Sequence, residues 1–178
     1  TYAKKNNINL TIVRPAVITG PQVKNSAILI TLYMAMGLGN DNVMYMSGNG
    51  DTHFQLLAPE DASDAFLKIY KAGNKAFGQI LNIGSDNVPT QMEQIVKIKE
   101  KCKLDFAIKH VTPLKAKLFS FLIKPSNVNY FTREHLLFIF HSVYLDCDKI
   151  KALTGWHPKK DNLDIMTETV EWYKNKVK

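Results

Sequence analysis

The sequence predicts an α/β fold on a parallel sheet, with a helix-rich lobe toward the C-terminus. Three observations carry this expectation. Short β-branched runs alternate with stretches of helical periodicity over the first two thirds of the chain. Helical patterns then follow one another to the end. The strand-like run LTIVRPAVITGP, residues 10–21, is interrupted by Arg14-Pro15. Proline has no amide hydrogen, so Pro15 belongs where the strand leaves the sheet. Ligands of open α/β sheets bind at the carboxyl ends of strands, which makes the break a candidate site.

The elements follow in order. TYAKKNN reads as the end of a polar helix, and INLTIVRPA as a strand after an Asn-rich turn. SAILITLYMAMG, residues 26–37, is an apolar helix closed by Gly37 or Gly39. VMYMS and HFQLLA are strands joined by the turn-rich GNGDT. PEDASDAFLKIYKAG is an amphipathic helix whose early acids Glu60, Asp61 and Asp64 suit its amides and dipole, and it ends at Gly73. GQILNIGS is a strand closed by Gly84. Thr90 and Glu93 have the spacing of a capping box at the start of TQMEQIVKIKEKC. LDFAIKHV is strand-like; PLKAKLFSFLI, TREHLLFIF, DCDKIKALTG and NLDIMTETVEWYKN are helices.

The chain has 178 residues, 46% apolar, enough for one sizeable core. Its formal charge of +7 comes from 23 basic and 16 acidic side chains, but the lysines lack the aromatic interleaving of nucleic-acid readers, so no nucleic-acid partner is expected. Cys102 and Cys147 have no metal-ligand spacing and suit a reducing, cytoplasmic setting. The five histidines form no metal pair on one helix, and no metal is expected. The Leu118–Ile123 run, framed by Lys115, Lys117 and Lys124, is read mainly as core but permits peripheral contact with a membrane surface.

Five segments, in order, carry a family likeness. RPAVITGP, APEDASDAF, GQILNIGS, DCDKIKALTGWHP and VEWYKN resemble successive motifs of the extended short-chain dehydrogenase/reductase superfamily. The superfamily includes nucleotide-sugar epimerases, dihydroflavonol reductases and 3β-hydroxysteroid dehydrogenases. The resemblance implies that residues 1–178 are the C-terminal portion of a Rossmann-like domain with its substrate-binding lobe. The glycine-rich turn for the dinucleotide pyrophosphate is absent, and Asn6 stands where a Tyr-x-x-x-Lys pair starting at Tyr2 would need lysine. The catalytic pair is therefore expected upstream, and this portion alone is expected to be inactive.

The resemblance also implies NAD or NADP as cofactor, with Pro15, Ala16 and Val17 against the nicotinamide. Arg14 is expected to pair with a carboxylate in the core. Gln22, His53 and Phe54 are implied on the substrate side. Phe54 aligns with an arginine that grips the diphosphate in sugar-nucleotide enzymes. With the apolar runs of the lobe, this points to an oxidoreductase for a carbonyl or alcohol of a hydrophobic small molecule, in the steroid or flavonol reductase manner. The alternatives are a nucleotide-sugar epimerase or dehydratase and, in another class, a non-catalytic binding or scaffold module. A homodimer of the complete protein stays open.

Overall fold

The computed structural model describes residues 2–23, 42–112, 114 and 140–176. In chain order the elements are α1 (Tyr2–Lys5), β1 (Ile12–Pro15), β2 (Val17–Ile18), β3 (Val43–Ser47) and β4 (Leu56–Leu57). They continue with α2 (Pro59–Ala72), a 3-10 turn (Gly73–Ala76), β5 (Ile80–Ile83), α3 (Gln91–Lys101), β6 (Ala107–Val111), α4 (Asp148–Thr154) and α5 (Asn162–Lys176). Among the described residues the named strands pair in parallel: β1 with β5, β2 with β4, and β3 with β6. The parallel α/β architecture expected from the sequence is thus present. VMYMS and HFQLLA, though adjacent in sequence, take other partners instead of forming a hairpin, and HFQLLA is regular strand only at Leu56–Leu57.

The chain divides into two units. The first comprises Thr1–Thr19, Gln55–Val88 and Tyr144–Ile165. Its core joins Leu81 and Ile83 of β5 to Ala62, Ala65 and Ile69 of α2 and to Ile150 and Trp156, with Val13 and Ala16 packed against it. Trp156, Leu81, Ile83 and Ile150 are fully buried, each such side chain stabilising by about 1.5–3 kcal/mol. Pro59 in the first turn presets the φ of α2, and its buried positions 62, 65 and 69 recur at helical spacing.

Asp61 departs from the expected role. It is 2% exposed, and its two carboxylate oxygens accept the amides of Lys159 and Lys160, each at 3.1 Å. It therefore ties α2 to the segment after Trp156 instead of serving its own helix start, where Ala58 gives no side-chain cap.

The second unit comprises Gly20–Phe54, Pro89–Val143 and Met166–Lys178. Its core sets Met44 and Met46 of β3 and Phe106 against Ile95 of α3. The expected capping box is present: Thr90 Oγ1 accepts the Glu93 amide at 3.2 Å, and Glu93 Oε2 accepts the Thr90 amide at 2.9 Å. The expected helix over 26–37 lies outside the described residues, and so do those over 113–123 and 132–140 but for Leu114 and Phe140.

Candidate functional site

The break at Arg14-Pro15 has a structural reason. The amides of Ile12 and Ala16 donate to Gln79 O and Ile83 O at 2.9 and 2.8 Å, so the even positions of β1 face β5. Val17 and Thr19 then donate to Gln55 O and Leu57 O, at 3.3 and 3.1 Å, and so pair with β4. A regular strand sends neighbouring amides to opposite edges; here Ala16 and Val17 both donate, and the chain changes partner between them. Leu56 O accepts the Ser85 amide at 2.9 Å, so β4 runs between β2 and the residue beyond β5. The β1–β5 pair opens at its carboxyl ends and β4 enters the opening. Pro15 lies at the odd, outward-facing position, where a missing donor does not disturb the pairing with β5.

A buried polar clamp fixes this end of the sheet. Gln55, 5% exposed, donates through Nε2 to Ser85 O at 2.7 Å and accepts the Leu145 amide through Oε1 at 2.8 Å. Asn162, fully buried, accepts through Oδ1 from the Leu56 amide at 2.9 Å and from Ser85 Oγ at 2.6 Å. Gly84 is required by this arrangement, because a Cβ there would lie 2.5 Å from Gln55 Cδ. Gln55 and Asn162 are functional candidates that the sequence reading missed, whereas Gly84 and Ser85 close the segment GQILNIGS already singled out. The four are separated by up to 107 positions, and the signal that pointed toward them was a glycine after a strand.

Pro15, Ala16 and Val17 form one continuous stretch at the strand break. Pro15 and Val17 are exposed and Ala16 is half-buried against the core of the first unit. The amides of Ala16 and Val17 are engaged by Ile83 and Gln55, so neither is free for a ligand. Arg14 does not form the expected core ion pair: it is exposed, and none of the described carboxylates pairs with it.

In the second unit, Gln22 stands exposed in its own turn with φ of 71°, and Val23 N donates to Gly20 O at 3.3 Å. Proline followed by a positive φ is the pattern of a type II turn. His53 and Phe54, both half-buried, lie together in an extended stretch. The His53 amide donates to Ser142 Oγ at 3.1 Å, His53 O accepts from Val143 N at 2.9 Å, and Phe54 bridges Val143 in parallel.

Two further features bear on chemistry. Burial pushes the thiols of Cys102 and Cys147 above the ordinary range, which disfavours the thiolate. Among the described residues no three His, Cys, Asp or Glu side chains gather around a metal position, and no helix is long and apolar enough to cross a membrane. The run from Leu118 to Ile123, with its lysine frame, lies outside the described residues.

No protein-family model matches the sequence, and no curated protein does. Solved structures do match. UDP-glucuronic acid 4-epimerase from Bacillus cereus in complex with NAD superposes with a TM-score of 0.70 at 14% identity, over 99% of this chain and 48% of that one. dTDP-glucose 4,6-dehydratase from Bacillus anthracis, also with NAD, gives 0.67 at 20% identity, over 98% and 47%. RMD from Pseudomonas aeruginosa, complexed with NADPH, gives 0.64 at 16%, over 98% and 51%. The chain has their fold. It spans about half the length of each of these structures. The opening where β4 enters between β2 and Ser85 lies at the carboxyl ends of the parallel strands β1 and β5.

Proposed function

We propose that this chain belongs to a nicotinamide-dinucleotide-dependent epimerase or dehydratase acting on a nucleotide sugar. On this reading it supplies the C-terminal portion of a Rossmann-like domain with its substrate-side lobe. The glycine turn and the Tyr-Lys pair would lie upstream of Thr1. The carrying observation is fold likeness over 98–99% of the chain to enzymes named for UDP- and dTDP-sugars. Either NAD or NADP suits the reading, since the similar structures hold NAD in two cases and NADPH in one.

The residues present fit the nicotinamide end of such a cofactor and not its phosphates. Pro15 and Val17 offer exposed apolar surface for a flat ring at the carboxyl ends of parallel strands, whereas the sequence has no glycine-rich phosphate turn. With the Ala16 and Val17 amides engaged, contact with the ring's carboxamide falls to backbone carbonyls and side chains. The cofactor, when bound, supplies hydride acceptance and donation. This chain's part is to hold the ring's wall rigid, through the clamp of Gln55, Ser85 and Asn162. Gln22, His53 and Phe54 are assigned to the substrate side.

A second reading, reduction or oxidation of a hydrophobic carbonyl or alcohol, is favoured by Phe54 where sugar-nucleotide enzymes carry arginine. The two are separated by offering the polypeptide encoded from upstream of Thr1 UDP-hexuronate, UDP-hexose and dTDP-glucose with NAD, and apolar ketones with NADPH. Sugar-nucleotide turnover is expected. Turnover confined to the ketones would replace the first reading with the second, and inactivity toward both would remove both.

A further inference from the structure

The first turn of α3 is anchored outside its own helix. A helix leaves its first amides without intrahelical acceptors. Glu93 N finds Thr90 Oγ1, but Gln91 N donates to Thr52 O at 2.9 Å and Met92 N to Gly50 O at 3.0 Å. Both acceptors belong to the turn between β3 and the stretch that carries His53 and Phe54, so a distant part of the chain caps α3. The approach is close. Gly50 holds a φ of 79°, and a Cβ there would lie 2.9 Å from Met92 Cβ and 3.0 Å from Met46 Sδ. The turn is wedged between α3 and β3, and only glycine fits it.

Gln91 adds a side-chain bond to the backbone ones. Its Nε2 donates to Thr52 Oγ1 at 2.8 Å. Capping does not call for this bond, because the Gln91 amide is already satisfied, and both side chains are half-buried, within reach of water. Its effect falls on Thr52, which one residue holds at the carbonyl and at the hydroxyl. A single bond lets Thr52 swivel about it; two bonds do not. The orientation of Thr52 sets where the chain places the next residues, His53, which bridges Thr90, and Phe54, which bridges Val143.

We propose that Gln91 is a positioning residue, which through Thr52 fixes the placement of His53 and Phe54 and so sets affinity for the substrate. The inference rests on the substrate-side assignment proposed above and adds to it a residue that acts through another side chain.

The test uses the polypeptide encoded from upstream of Thr1, with UDP-hexose, UDP-hexuronate or dTDP-glucose as the varied substrate. Gln91→Met keeps the length of the side chain and removes the donor. It is expected to raise KM about 10-fold with kcat changed less than about twofold and cofactor affinity unchanged, the pattern of a loss of uniform binding. Gln91→Glu should restore most of the affinity, because its carboxylate accepts from the Thr52 hydroxyl. Once Thr52 is valine, Gln91→Met should add nothing. A fall in kcat at unchanged KM, which loss of folded protein would give, or Gln91→Met and Thr52→Val effects that add in full would overturn the proposal. Ring resonances in the 178-residue chain give a second readout: those of His53 and Phe54 should shift in Gln91→Met and return in Gln91→Glu, while the indole of Trp156, in the first unit, stays in place. Sugar-nucleotide turnover with rings that do not respond refutes the positioning alone, and responding rings without turnover refute the enzymatic reading alone.

Discussion

Replacing Gly84 with alanine tests the clamp at the strand ends. The new methyl carbon would lie 2.5 Å from Gln55 Cδ, 2.6 Å from Nε2 and 2.8 Å from Oε1. Gly84 is not among the positive-φ glycines, so the backbone tolerates alanine and the conflict is purely steric. If the carboxamide stays, overpacking costs about 1–3 kcal/mol. If it moves, Ser85 O and Leu145 N lose their buried partner, at about 1–3 kcal/mol each. The lower entropy of the unfolded alanine chain offsets about 0.4–1 kcal/mol. The cheaper alternative governs, so the net loss is about 1–2 kcal/mol, a fall in Tm of about 2–8 °C for a chain of this size. Urea and thermal denaturation measure it, and a double-mutant cycle with Gln55→Ala isolates its cause. In the Gln55→Ala background Gly84→Ala should cost nothing measurable. An equal cost in both backgrounds, or a Gly84→Ala single variant as stable as wild type, would refute the geometric argument.

The remaining predictions use the same methods. Asp61→Ala should destabilise the first unit by about 2–4 kcal/mol, because two part-buried amides lose a buried charged acceptor, and Asp61→Asn should recover part of this in urea melts. Gln22→Gly should stabilise by about 1 kcal/mol, since glycine adopts the positive φ without strain; an unchanged midpoint would count against that turn. The Glu93 carboxyl is held below its ordinary value, first by the Thr90 amide and then by the Thr90 hydroxyl. Its contribution is therefore complete above the ordinary carboxylate pKa and lost as pH falls through the lowered one, so the protection of the amides in α3's first turn should fall in acid, and Glu93→Gln should abolish that dependence whereas Thr90→Val, which keeps the backbone amide, should only weaken it. Cys102 and Cys147 should react with a thiol reagent at neutral pH only as fast as the protein opens, because burial raises both thiols; rapid stoichiometric labelling would contradict this.

The sequence by itself determined what local chemistry decides. Thr90 and Glu93 cap α3 because a hydroxyl and a carboxylate at that spacing satisfy two amides within four residues, with no help from the rest of the chain. β-branched runs such as those around Val13 and Ile83 became parallel strands, and Pro15 stands just before the change of partner, at an edge position where its missing donor breaks no bond to β5. Tertiary structure decided everything that depends on distant partners. VMYMS and HFQLLA look alike as neighbours across a turn, yet β3 takes β6 and β4 takes β2, since parallel pairing is chosen by the burial of whole faces. Asp61 has the sequence of a helix-start acid and the position of a clamp on residues about a hundred positions away. Arg14 looked like the partner of a core carboxylate and stands exposed. GQILNIGS marked Gly84 and Ser85, but their join to Gln55 and Asn162 left no periodic or motif signal, because it depends on three separate segments arriving within hydrogen-bond reach of one another, and no local pattern encodes that distance.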